Sequence, residues 1–224
     1  MAIILNLETA TTNCSVSIAK EGTLVFLKEY NSTNFSHAEQ LHNFIKEAIE
    51  EASLIISDID AIAVSKGPGS YTGLRIGVSA AKGLCFSLDK PLISIPTLES
   101  MAHQLQIKEG YIIPVLDARR MEVYSKVFNA NYKVVRNTEA EIIDTSSFIS
   151  FASENKVHLI GNGAEKCKEI LENKNFNFDS TIVPSAKEMC QLSYAKYQAK
   201  DFEDVAYFEP FYLKDFLVQT KKKG

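Results

Sequence analysis

Very little in this sequence is suited to holding a metal ion, a disulfide or a polyanion. Its four cysteines, Cys14, Cys85, Cys167 and Cys190, stand far apart with no C-x-x-C pair. That excludes a thiol-rich zinc site or a redox couple and predicts four reduced thiols. The four histidines are no better placed. His37 and His42 lie five residues apart on one predicted helix, whereas i, i+4 spacing brings two imidazoles to one metal. His103 and His158 have no partner at ligand spacing. The net charge of −4 gives no basic field for nucleic acid, and Lys221-Lys222-Lys223 reads as a solvated end. A long apolar run is missing as well. The opening MAIILNLETATTNCSV has no charged n-region and turns polar at Asn6. Neither a signal peptide nor a membrane span is predicted, and a cytoplasmic protein is expected.

What is present is ordinary globular material. The chain has 224 residues, 46% hydrophobic and 23% charged, enough for one large domain or two lobes. Ile3–Leu7 reads as a buried strand ending on Glu8. Thr9–Asn13 is a polar turn. Cys14–Ala19 alternates with period two, and Glu21-Gly22 turns the chain into Thr23–Glu29, completing a meander. Ser36-His37-Ala38-Glu39 fits the S-x-x-E capping box, and Leu41, Phe44, Ile45, Ala48, Ile49 and Ala52 follow at helical spacing. Ile59–Ser65 is a strand, Tyr71–Ser87 a helix, Pro91–Ile95 a strand and Thr97–Gln106 a helix.

After Gly110 the grammar repeats. Tyr111–Leu116 is a strand ending on Asp117, Ala118-Arg119-Arg120 a turn, and Met121–Phe128 and Tyr132–Arg136 return. Val157–Ile160 is a strand, Gly161-Asn162-Gly163 a loop and Ala164–Leu171 a helix. Glu8 thus corresponds to Asp117, and Gly67-Pro68-Gly69 to Gly161-Asn162-Gly163. This pattern predicts a duplicated α/β protein with lobes at 1–107 and 108–224. A closing helix, capped by the S-x-x-E box Ser185–Glu188, spans 185–200 and is free to pack back on the first lobe. Glu203–Leu213 is irregular or extended.

The glycine-rich stretch Ser65–Gly77, SKGPGSYTGLRIG, resembles a phosphate loop, but its spacing fits neither phosphate fingerprint. A P-loop needs G-x-x-x-x-G-K-[ST], and here Leu74 follows Gly73. The dinucleotide motif G-x-G-x-x-G has its third glycine one residue earlier, and no acid follows at the end of the next strand. The generic attraction of a helix start for anions remains. The glycines continue into the helix, where Gly73, Gly77, Ala80, Ala81 and Leu84 share one face. An interior glycine costs roughly 1 kcal/mol against alanine, so a second backbone is expected to approach that face, either within the chain or from another subunit. Glu8 and Asp117, at strand ends, are the residues a small-molecule kinase or ATPase would use. No Cys–His pairing and no G-x-S-x-G elbow is present.

LNLETATTNCSVSIAKEG (5–22), SKGPGSYTGLRIGVSAAKGL (65–84), PTLESMA (96–102), VLDARRMEVY (115–124) and the closing EPFYLKD (209–215) together resemble the TsaB family. That resemblance implies a duplicated, two-lobed actin-like and sugar-kinase-like (ASKHA) fold. It implies a non-catalytic subunit for threonylcarbamoyladenosine synthesis in tRNA, paired with the related catalytic subunit TsaD and joined by the ATPase TsaE. It further implies a homodimer when the chain is alone, contact with tRNA only through the complex, and no cofactor beyond a nucleotide at a subunit junction. Thr97 and Met101 stand where TsaD has metal-binding histidines, and both are poor replacements for imidazole. The partner interface falls on Gly73, Gly77, Ala80, Ala81 and Leu84. An arginine at Gly77 is then expected to abolish pairing while sparing the fold.

Overall fold

A computed structural model describes residues 1–32 and 37–213 of the chain. Among the described residues ten strands form two five-stranded sheets. In the first sheet, β1 (Ile3–Glu8) pairs antiparallel with β2 (Asn13–Lys20), which pairs antiparallel with β3 (Thr23–Asn31). On its other side β1 runs parallel to β4 (Ala61–Gly67), and β4 to β5 (Leu92–Pro96). The order is β3-β2-β1-β4-β5.

The second sheet repeats it. There β6 (Tyr111–Asp117) pairs antiparallel with β7 (Glu122–Asn129), and β7 with β8 (Val134–Ile142). The parallel side is β9 (Val157–Ile160) and β10 (Phe176–Asp179). Its order, β8-β7-β6-β9-β10, matches the first strand for strand, with Glu8 and Asp117 ending the two central strands. This is the duplicated α/β fold expected.

The helices are unequal between the halves. In the first, α1 (His37–Glu51) and α2 (Tyr71–Leu88) lie on one face of the sheet. Leu41, Phe44, Ile45, Ala48 and Ile49 of α1 meet Leu5, Leu7, Val16, Ile18, Ile62 and Val64 in one core, as the periodicity predicts. Between the two sheets, α3 (Thr97–Ala102) contacts β4 and β5 as well as β6 and β7. It is shorter than expected because His103 caps it and the chain turns at Gln104 and Leu105. In the second half α4 (Ile149–Ala152) and α5 (Ala164–Lys168) are a turn or so each. The strand β10, the helix α4 and the extension of β8 to Ile142 are not evident from the sequence.

The last described helix, α6 (Ala186–Ala199), crosses back to the opposite face of the first sheet. Ala186 and Met189 pack there on Ile4, Ala61, Ala63, Ile93 and Ile95. The alternation of β2 therefore has an outcome that polarity alone does not suggest. Its apolar positions, Cys14, Val16 and Ile18, enter the core under α1. Its serines, Ser15 and Ser17, are fully buried rather than solvated. Ser17 donates to the Ala186 carbonyl, and Ser15 accepts from the Ala186 N–H. Ser185 caps α6 by accepting from the Lys187 N–H. The corresponding cap proposed for α1, Ser36, lies outside the described residues.

Beyond α6 the described residues, to 213, lie along the first half. Glu203 N–H donates to Leu92 O at the edge of β5. Lys82 of α2 donates to the carbonyls of Ala206 and Phe208, and Phe211 N–H donates to Lys66 O.

Candidate interaction face on the first helix pair

The site begins at the end of β1. Glu8 is fully buried, with Oε1 accepting from Ala10 N–H at 2.6 Å and from Ser65 Oγ at 2.8 Å. Its Oε2 has no hydrogen-bond partner. Burial pushes the carboxyl up to about 7, against the pull of those donors. The matched acid, Asp117, is exposed and differently held. It accepts from Arg119 N–H and from Lys166, whose ammonium also donates to the carbonyls of Arg120 and Glu122. The two acids therefore share topology but not environment.

The raised Glu8 pKa has a consequence for stability. A carboxyl near 4.5 unfolded and near 7 folded stabilises the fold fully below the lower value, and that contribution is lost as pH rises through the upper one. At about 1.4 kcal/mol per unit, the loss is on the order of 3 kcal/mol. Glu8→Gln cannot ionise, so its unfolding free energy is expected to fall less between pH 5 and pH 7.5 than that of the native chain. Urea midpoints at the two pH values measure the difference. Parallel slopes would refute the assignment.

The turn after Glu8 explains the glycines of α2. Ser70 N–H donates to Ala10 O, and Ser70 Oγ accepts from Gly73 N–H as the N-cap. Thr9 Oγ1 donates to Gly73 O at 2.8 Å. A Cβ on Gly69 would lie 2.4 Å from Ala10 O, one on Gly73 2.2 Å from Thr9 O, and one on Gly77 2.3 Å from Thr9 Oγ1. Two N–H groups at the start of α2 are thus used within the chain, and Ala10 packs directly against Gly69. Gly67, with φ 107°, joins β4 to this helix start.

The sequence placed Gly73, Gly77, Ala80, Ala81 and Leu84 on one partner-facing surface. The structure divides them. Gly73, Gly77 and Ala81 are buried toward the chain's own sheet and first turn. Ala80 and Leu84 sit at the border, lining the groove on the other side. Gly77 therefore cannot carry the arginine test proposed from spacing, because that substitution strikes Thr9 before any partner.

The outward face of α2 lies about a quarter turn away. Thr72, Ile76, Ser79 and Gly83 recur there at i, i+4, i+7 and i+11, and with Ala38 and His42 of α1 they line an open, largely apolar groove of about 660 Å³. A Cβ on Gly83 would meet nothing within 4 Å. Phe86, one turn on, is 86% exposed. Gly83 was missed in the sequence because the glycines at 73 and 77 drew the stripe onto the neighbouring face. The small-residue run Ser79, Ala80, Gly83 was the available signal.

The candidate metal positions are filled differently. Thr97 and Met101 are fully buried, and the Met101 methyl packs 2.5 Å from where a Gly161 Cβ would be. Among the described residues no group of three or more His, Cys, Asp or Glu side chains could hold a metal. A neutral hydroxyl and a thioether are poor replacements for a pair of imidazoles at a metal. His37 is buried with Nε2 donating to Thr11 O at 2.6 Å, and His103 stacks on Tyr132. Among the described residues no helix is long and apolar enough to cross a membrane.

The family model described as TsaD, tRNA N6-adenosine threonylcarbamoyltransferase, matches residues 31–221. The tRNA threonylcarbamoyladenosine biosynthesis protein TsaB of Haemophilus influenzae is 28% identical, with 99% of this chain and 97% of that protein aligned. The Escherichia coli protein of the same name is 33% identical over 54% of this chain and 52% of its own length. Among solved structures, YeaZ from Pseudomonas aeruginosa superposes with a TM-score of 0.80 at 22% identity, covering 95% of this chain and 100% of its own.

Proposed function

The chain belongs to the TsaD family of tRNA N6-adenosine threonylcarbamoyltransferases, and from that premise we propose that it serves threonylcarbamoyladenosine synthesis in tRNA as a non-catalytic subunit. In this reading it pairs through the outer face of α1 and α2 with a catalytic TsaD subunit, and a TsaE-type ATPase joins the pair. Alone, it pairs with itself through the same face. Any tRNA contact comes through the complex. Its full-length similarity to a protein named TsaB supports the process. The observation that carries the interface is Gly83. A glycine in the interior of an exposed helix is unfavourable by about 1 kcal/mol relative to alanine. Gly73 and Gly77 meet Thr9, which accounts for them, whereas a Cβ on Gly83 meets nothing within 4 Å among the described residues. A flat outward stripe beside an apolar groove suits a helix that must approach closely.

The test is reconstitution. This chain, TsaD and TsaE are co-expressed, sized, and assayed for tRNA modification with each subunit omitted. Modification is expected to require this chain, while the isolated chain transfers nothing to tRNA. Transfer by the isolated chain, or undiminished modification without it, overturns the reading.

A further inference from the structure

We propose that Arg75 makes this face select a partner bearing a carboxylate over a second copy of the chain. The inference rests on the α1/α2 face being the docking surface. Among the described residues lining the groove, Arg75 is the one arginine, lysine, aspartate or glutamate. It is exposed, and no described carboxylate pairs with it. Its guanidinium is nevertheless held in place. Nη1 donates to Tyr71 Oη at 2.9 Å, and the group lies 5.1 Å from the centre of the Tyr71 ring. The far end of the chain supports that ring: Tyr212 packs against Tyr71 with centroids 5.1 Å apart. Tyr212 is brought there by the Phe211 N–H bond to Lys66 O.

A guanidinium fixed on an aromatic ring keeps its remaining N–H groups directed outward, in the fork that matches a carboxylate. Covering it without such a partner is unfavourable, because a desolvated charge then stays unpaired. Groove-on-groove pairing of two identical chains brings two such cations together and supplies no acid from either lining. A different subunit with an Asp or Glu opposite Arg75 removes the penalty and gains a charge-assisted pair. The charge thus works by disfavouring the wrong partner as well as by attracting the right one.

The test compares Arg75→Met with the native chain in two measurements: calorimetric affinity for the TsaD subunit and self-association by sedimentation. Arg75→Met is expected to weaken the heteropair on the order of 100-fold, and to leave self-association unchanged or tighter. An unchanged heteropair, or equal weakening of both, overturns the proposal. Asp215 lies outside the described residues and supplies a control. If Asp215→Asn reproduces the loss, the carboxylate belongs to this chain and the proposal falls. Gly83→Arg separates this inference from the one beneath it. If Gly83→Arg abolishes pairing while Arg75→Met is neutral, only the role of Arg75 fails. If Gly83→Arg pairs normally, the docking surface itself is wrong.

Discussion

An arginine at position 77 is expected to prevent folding rather than to yield a folded monomer. A Cβ there would lie 2.3 Å from Thr9 Oγ1, and the rest of the side chain would have to pass through the β1–β2 turn. That turn carries the bonds from Ala10 to Glu8 and from Ser70 to Ala10, so displacing it disturbs β1, β4 and the start of α2 together. Gly73→Ala is the milder version. Its Cβ would lie 2.2 Å from the Thr9 carbonyl, a backbone atom that no rotamer change can move. Overpacking of this kind costs about 1–3 kcal/mol or more, against a helix-propensity gain of about 1 kcal/mol. Steric cost wins, so Gly73→Ala is expected to lose up to about 2 kcal/mol net, a large share of a total stability of roughly 5–15 kcal/mol. Urea unfolding measures it. A stabilised Gly73→Ala chain would show that the Thr9 turn does not press on α2.

Gly83 should behave in the opposite way. With nothing within 4 Å of a Cβ, Gly83→Ala gains helix propensity without a clash and is expected to stabilise the isolated chain by up to about 1 kcal/mol. Gly83→Arg is expected to unfold at nearly the native urea concentration. It should also lose pairing with TsaD and with itself by on the order of 100-fold or more, because a long cation then occupies a flat apolar contact. Size-exclusion profiles and co-purification read the loss. The contrast between positions 73 and 83 is the sharper result. Two glycines of one helix, ten residues apart, should change stability in opposite directions under the same substitution. Only one of them should matter to assembly.

Much of this architecture is legible in the residues because it is local. The meander at β1–β3, the apolar stripe from Leu41 to Ile49 and the repeat of strand, acid and glycine loop each depend on periodicity and turn chemistry within a few neighbouring residues. Short elements were harder. The helix α4 and the strand β10 hold four residues each, too few for a period to register, and their structure comes from packing on the second core. The site was half legible. The helix was identified, and so was the need to offset its interior glycines, but Gly73 and Gly77 meet their own chain at Thr9. Helical spacing groups Gly73, Gly77, Ala80 and Leu84 on one side of the helix. It does not say which neighbour lies across from the group.

By itself, the sequence determined the duplicated strand grammar, the two central acids and the presence of a small-residue helix. These follow from side-chain alternation, from turn residues and from the conformational cost of glycine, all properties of adjacent positions. The tertiary structure alone decided which partner each face meets. It buried Ser15 and Ser17 beneath α6, set the Thr9 turn against Gly73 and Gly77, and left Gly83 and Arg75 facing outward. It also brought Tyr212 to Tyr71, residues far apart in the chain. Such long-range juxtapositions depend on how layers stack and where the chain crosses back. A residue's own type and its near neighbours carry no record of that.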